Sequence, residues 1–319
     1  MATIRPKLQA TLGLFLVLLL MVPAWAGAQT SFNRIIVFGD SLSDPGNAFA
    51  ISGMANTPPY QFLDELLIPD RPYARGGHHF SNGMTWIEQL ARQLSLSGNT
   101  RPAFREFGGA ATNYAIGGAR AGDRAEKATM TYEVTTFLNV FGGHAPADAL
   151  YVIEFGGNDI RDAIEAQDPG VINQAISSIQ SNITALYNAG ARKFLVCFAP
   201  DLSLTPALIA TDKIMPGAAT AARQMSQYYN YLLDYLVTSM SSQLADMEVV
   251  RVDFFSTLTE VAGNPAEFGL SVVDATCVTP GFAPYACSNP NTFLFWDGIH
   301  PTEKVHSIIA QRALSELVK

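Results

Sequence analysis

The stretch "RIIVFGDSLSDPGN", residues 34–47, decides how this chain is read. After Arg34 come four apolar residues, Ile35 to Phe38, rich in β-branched and aromatic side chains. A short continuous apolar run of this kind suits a strand buried on both faces. It then stops at Gly39, Asp40 and Ser41, which are small or polar, so the chain turns there. A lone serine in such a place is ordinarily a helix cap. It becomes a nucleophile only if other segments bring it a base.

Working outward, three more runs read as strands: "ALYVIEFG" (149–156), "RKFLVCFA" (192–199) and "MEVVRVDF" (247–254). Between and after them lie segments with helical periodicity, at 85–94, 170–190, 217–244 and 302–318. Gly190 is a suitable stop for the second of these. Apolar strands alternating with helices predict an α/β fold with a parallel central sheet. A brief strand signal, "ATNYAIGGA" (111–119), runs into paired glycines. Residues 45–83 and 263–291 break the pattern. They are rich in Pro, Gly and Asn but hold too many aromatics for solvated linkers, so they read as binding loops.

The two ends of the chain and its composition narrow the setting. Residues 1–28 read as a secretory signal peptide. Arg5 and Lys7 precede an apolar run at 12–22, and cleavage is expected near Ala26 or Ala28. The run is shorter than the ~20 residues a membrane span needs, and no second long apolar run follows. Residues 29–319 are expected to form a single domain, secreted or periplasmic, with no transmembrane segment. Losing two basic residues with the leader takes the formal charge from −8 to −10. An acidic chain without a Lys/Arg cluster argues against a nucleic-acid partner. Cys277 and Cys287 flank a Pro/Gly-containing loop, and a disulfide is expected between them in an oxidising compartment. That loop is expected to brace the Asp297–His300 segment rather than to cover the cleft. Cys197 lies within a strand and reads as a small buried hydrophobe. Neither the cysteines nor the histidines show metal-ligand spacing, so no metal or other cofactor is expected.

In an open parallel sheet, function gathers beyond the carboxyl ends of the strands. Ser41, Gly117, Asn158, Asp297 and His300 all fall at segment ends. Each alone has an ordinary turn or cap role. Together they supply acyl-transfer chemistry. Serine needs a base, histidine is the usual one, and a carboxylate fixes its tautomer. Asp297 and His300 are three residues apart, so one turn brings them together. The N–H groups of a glycine and of Ser41, taken as standing at a helix start, and the amide of Asn158 then suit an oxyanion.

The segments "FGDSLSDPGN", "NYAIGGA", "GGND" and "FWDGIHPT", in this order, resemble the blocks of the GDSL, or SGNH, family of serine esterases and lipases. "HFSNGMTWIEQLA" (79–91) is similar to a segment of its bacterial and plant lipase-like members. The resemblance implies a three-layer α/β/α, flavodoxin-like fold. It implies Ser41 as nucleophile, His300 as base and Asp297 as its orienting acid. It also implies an oxyanion hole from Ser41, Gly117 and Asn158, with Gly118 as the alternative glycine. Asp40, Asp44 and Asp159 read as turn-holding residues. No G-x-S-x-G elbow is present, which disfavours the α/β-hydrolase fold.

The expected reaction is hydrolysis of a small-molecule or lipid ester, lysophospholipids and glycerophospholipids included. Transfer of the acyl group to an alcohol would use the same site, and a non-catalytic binding protein is the alternative of another class. An autotransporter passenger would need further barrel-forming residues. Phe49, Met54, Tyr60, Phe62, Tyr73 and Phe80 either line an acyl pocket or pack the first long loop onto the domain.

Overall fold

Strand β1 (Arg34–Gly39) pairs in parallel with β2 (Ala149–Glu154), Ile35 opposite Leu150 and Gly39 opposite Glu154. Strand β2 pairs with β3 (Lys193–Phe198), and β3 with β4 (Glu248–Asp253), again in parallel. The order in this computed structural model is β1-β2-β3-β4. Residues 112–116 run along the free edge of β1. Val37 N–H donates to Thr112 O at 2.9 Å, and Ile116 N–H donates to Gly39 O at 3.0 Å. The brief strand signal thus serves as an outer edge parallel to β1. Residues 1–2, 32–106, 108–125 and 127–319 are described. Residues 3–28 of the expected leader lie outside them.

Nine helices are described: α1 (Asn47–Ser52), α2 (Trp86–Gln93), α3 (Met130–Val140), α4 (Gly157–Ala166), α5 (Gly170–Ala189), α6 (Pro206–Ile214), α7 (Ala218–Gln243), α8 (Phe254–Gly263) and α9 (Glu303–Leu317). Local chemistry sets several starts. Thr85 and Glu88 form a reciprocal capping box on α2, and Thr129 caps α3. Gly190 follows α5 as the sequence suggested.

Strand side chains alternate between faces, and the sheet sorts them into two cores. Ile36, Phe38, Tyr151, Ile153, Phe194 and Val196 pack with α3, α5 and α7 on one face. Ile35, Val37, Leu150, Val152, Leu195 and Cys197 pack with α2, α8 and α9 on the other. The result is the expected three-layer α/β/α arrangement, with Cys197 buried as a small hydrophobe.

The two loop regions hold elements their composition hid. The first contains α1. The second contains β5 (Val272–Thr276), which pairs in parallel with β6 (Phe293–Phe295) to deliver the chain to Asp297. Cys277 and Cys287 are bonded. Their loop ties to the segment before Asp297, since the N–H groups of Cys277 and Val278 donate to Trp296 O at 3.1 and 2.8 Å. Among the described residues, no helix is long and apolar enough to cross a membrane.

Candidate active site

Ser41 sits on a tight turn just past β1, where Ser43 N–H donates to Asp40 O at 3.1 Å. The sequence reading put it at a helix start, and this is corrected. Helix α1 begins six residues later, at Asn47. The reason is Asp44, whose buried carboxylate collects the N–H groups of Gly46, Asn47 and Ala48. Those first helical donors face Asp44, not Ser41.

Strand β6 and the turn after it bring the base. His300 Nε2 lies 2.8 Å from Ser41 Oγ, and His300 Nδ1 lies 2.9 Å from Asp297 Oδ2. Asp297 is fully buried and His300 nearly so. Asp297 Oδ1 accepts the N–H groups of Ile299 and His300 at 2.9 and 2.8 Å, which shapes the turn the three-residue spacing suggested. Sequence reasoning missed the last partner. The Tyr73 hydroxyl, buried, donates to Asp297 Oδ2 at 2.9 Å. Burial and the Asp297 carboxylate hold that phenol well above its ordinary value, so it stays a donor. Tyr73→Phe is expected to lower kcat about tenfold with little change in KM, the loss of one hydrogen bond to a charged group. Steady-state kinetics on a p-nitrophenyl ester checks this; unaltered kcat would show that the bond does not orient the carboxylate.

The candidate oxyanion donors converge from three segments. Asn158 Nδ2, on the first turn of α4, donates to Ala119 O at 3.0 Å and lies 3.3 Å from Asp40 Oδ2. Gly117 N–H donates to Asp44 Oδ2 at 2.7 Å and so points away from Ser41's surroundings. Among the described residues, the N–H groups of Ser41 and Gly118 have no acceptor. Both glycines are required. A Cβ on Gly117 would collide with the Phe80 ring, and Gly118 has a φ of 81°, which favours glycine.

Beneath this turn lies a set of buried acids. Asp40, Asp44 and Asp159 accept backbone amides, the turn-holding role expected of them. Glu133 accepts from Gly39 and Ile116 N–H, and Glu154 accepts from the Ser43 hydroxyl. Sequence reasoning passed over both glutamates, although Glu154 is a charge inside an apolar run. Burial pushes Asp40, Asp44 and Asp159 up to about 6 and Glu133 and Glu154 well above the ordinary carboxylate range. Each binds its proton more tightly folded than unfolded, so its stabilisation is lost as pH rises through its folded value. Buried His306, lowered to about 3, works oppositely, but its effect is complete above its ordinary value of 6.5. Five raised carboxyls outweigh this one imidazole between about pH 4 and 6, where the melting temperature is expected to fall by several degrees. Calorimetry across that range checks this, and a rise would contradict it.

A cavity of about 610 Å³ opens over Ser41 and His300. Of the six loop residues named above, Phe62 and Phe80 line it. Tyr60 and Tyr73 are instead buried against Cys277, Val278 and Trp296. Phe49 stacks on His78, and Met54 is exposed. No residue of 263–291 lines the cavity, so the disulfide loop backs the Asp297 turn, as expected, and does not cover the cleft.

A serine hydrogen-bonded to a carboxylate-anchored histidine, at the carboxyl edge of a parallel sheet, is the arrangement of acyl-transfer hydrolases. The sequence profile of the family described as GDSL-like Lipase/Acylhydrolase matches residues 35–313. The chain belongs to that family and is an ester hydrolase, acting on small-molecule esters. It is similar to two GDSL esterase/lipases of Arabidopsis thaliana. One is 26% identical over 90% of this chain and 88% of the relative; the other is 27% identical over 98% and 95%. Among solved structures, it is similar to Axe2, an acetylxylan esterase of Geobacillus stearothermophilus. That likeness has 13% identity and a TM-score of 0.47, over 89% of this chain and 93% of that one.

Proposed function

We propose that the protein is a secreted serine carboxylic-ester hydrolase working through an acyl-Ser41 intermediate. Ser41 Oγ attacks the ester carbonyl while His300 Nε2 takes its proton. Asp297 holds the imidazole with Nδ1 protonated and stabilises the imidazolium. The carbon–oxygen bond breaks, and His300 returns the proton to the departing alcohol. Water then repeats the sequence on the acyl-enzyme and releases the acid. The N–H groups of Ser41 and Gly118 receive the oxyanion, and Asn158 Nδ2 joins them by giving up its long 3.3 Å hydrogen bond to Asp40 Oδ2. Gly118 is assigned in place of Gly117, whose N–H is already given to Asp44. Residues 1–28 serve as the leader and 29–319 as one catalytic domain, a reading that the disulfide supports. Phe62, Phe80, Ile68 and Ile299 give the cavity apolar walls suited to an acyl chain, so lysophospholipids and other acyl esters are candidate substrates.

The observation that carries this reading is the continuous chain from Ser41 Oγ through His300 to Asp297, at 2.8 and 2.9 Å. A fluorophosphonate probe is expected to inactivate the enzyme in step with one adduct on the tryptic peptide containing Ser41. An adduct on another residue, or inactivation without one, would remove Ser41 from the role.

A further inference from the structure

Three cationic side chains, Arg120, Arg161 and Lys127, line the cavity together with two acidic ones, Asp64 and Asp70. Most of these charges are satisfied locally. Arg120 makes a two-pronged contact with Asp162 at 3.1 and 3.0 Å. Asp70 pairs with Arg71, and Asp64 Oδ1 accepts the N–H groups of Leu66 and Ile68. Lys127 is exposed, and an exposed lysine needs no partner.

Arg161 is different. It is part-buried, and among the described residues its guanidinium donates no hydrogen bond and makes no ion pair. It stands on α4 three residues after Asn158, so both side chains lie on one helix face. Both line the cavity with Ser41 and His300, and both also line the narrower cleft on the Pro200 side. Burial, then the nearby Arg120 charge, push its pKa down; Asp64, Asp162 and Glu165 offset part of this without bonding it. A guanidinium withdrawn from water needs a partner, and its planar fork matches a carboxylate or phosphate.

We propose that Arg161 is a specificity-determining residue that binds an anionic group, phosphate or carboxylate, carried by the ester substrate beside the scissile bond. This rests on the acyl-serine reading of the same site and names the substrate class within it. An ester bearing that group would supply the counter-charge the fold omits. Neutral esters would enter the same cavity with Arg161 left unpaired.

Two matched pairs of substrates test it. A 1-acylglycerol against its 3-phosphate places the anion in the alcohol half. p-Nitrophenyl valerate against mono-p-nitrophenyl glutarate places a carboxylate in the acyl half. The wild type is expected to favour the charged member of at least one pair by tenfold or more in kcat/KM. Arg161→Met should reduce that preference by about 10–100-fold, and Arg161→Lys should keep part of it. Which pair responds tells the two sources of the anion apart. A preference that survives in Arg161→Met, equal falls on both members, or no wild-type preference in either pair would overturn the proposal. Melting temperatures of both variants separate this from misfolding. The acyl-serine mechanism is reported separately, by hydrolysis of the neutral members in the wild type and its loss in Ser41→Ala.

Discussion

Ser41→Ala is expected to lower kcat on a p-nitrophenyl ester by ~10,000-fold or more, the loss seen when an activated nucleophile is removed. The fold should be untouched. Among the described residues, Ser41 Oγ makes its one hydrogen bond to His300, at 2.8 Å, and the serine sits on a turn that alanine can adopt. Melting temperature should therefore stay within a few degrees. The neighbouring Ser43 cannot substitute for it. Its side chain is fully buried, donating to Glu154 at 2.9 Å and accepting from Trp86 Nε1 at 3.0 Å. Residual activity within tenfold of the wild type would mean that Ser41 is not the attacking group.

Asp297→Asn should cost nearly as much, on the order of 10,000-fold in kcat with KM little changed. The environment dictates which way the amide sits. Ile299 and His300 N–H both donate to Oδ1, so an oxygen must remain there. The new NH₂ then takes the place of Oδ2, facing His300 Nδ1 and the Tyr73 hydroxyl. An NH₂ facing Nδ1 at 2.9 Å favours the tautomer that accepts there and carries its proton on Nε2, in competition with donation from Nδ1 to Oδ1 at 3.0 Å. A protonated Nε2 faces Ser41 Oγ as a donor and cannot take the serine's proton. Single-turnover kinetics read the effect directly. A loss under tenfold would mean that Asp297 shapes the turn but does not set the tautomer.

Much of this architecture is legible before folding. Three of the four apolar runs, β1 to β3, are strands because β-branched and aromatic side chains buried on both faces need no polar alternation; β4, at the sheet edge, is only partly buried. Helices α2, α5, α7 and α9 announce themselves by period and stop signals. Helix α1 and strands β5 and β6 do not. They are short and lie in Pro- and Gly-rich stretches, and contacts distant in sequence hold them. Ser41 was misplaced on a helix for a related reason. A capping carboxylate at Asp44 looks the same in sequence whether it caps the turn before it or the helix after it.

The sequence by itself determined the parallel α/β layering and the order of the motif blocks, and it singled out Ser41, His300 and Asp297 as candidates. These follow from local periodicity and from short motifs, each contained within a few residues, that recur in a family's order. Only the tertiary structure decided which groups are free to act. Gly117 N–H is taken by a carboxylate 73 residues away and leaves Gly118 as the open donor. Tyr73, 224 residues from Asp297, turns out to be its hydrogen-bond partner rather than an acyl-pocket wall. Among the described residues Arg161 makes no ion pair, since Asp162 bonds Arg120 and Asp64 bonds backbone N–H groups. Hydrogen-bond satisfaction is a property of the packed environment, and spacing along a chain does not contain it.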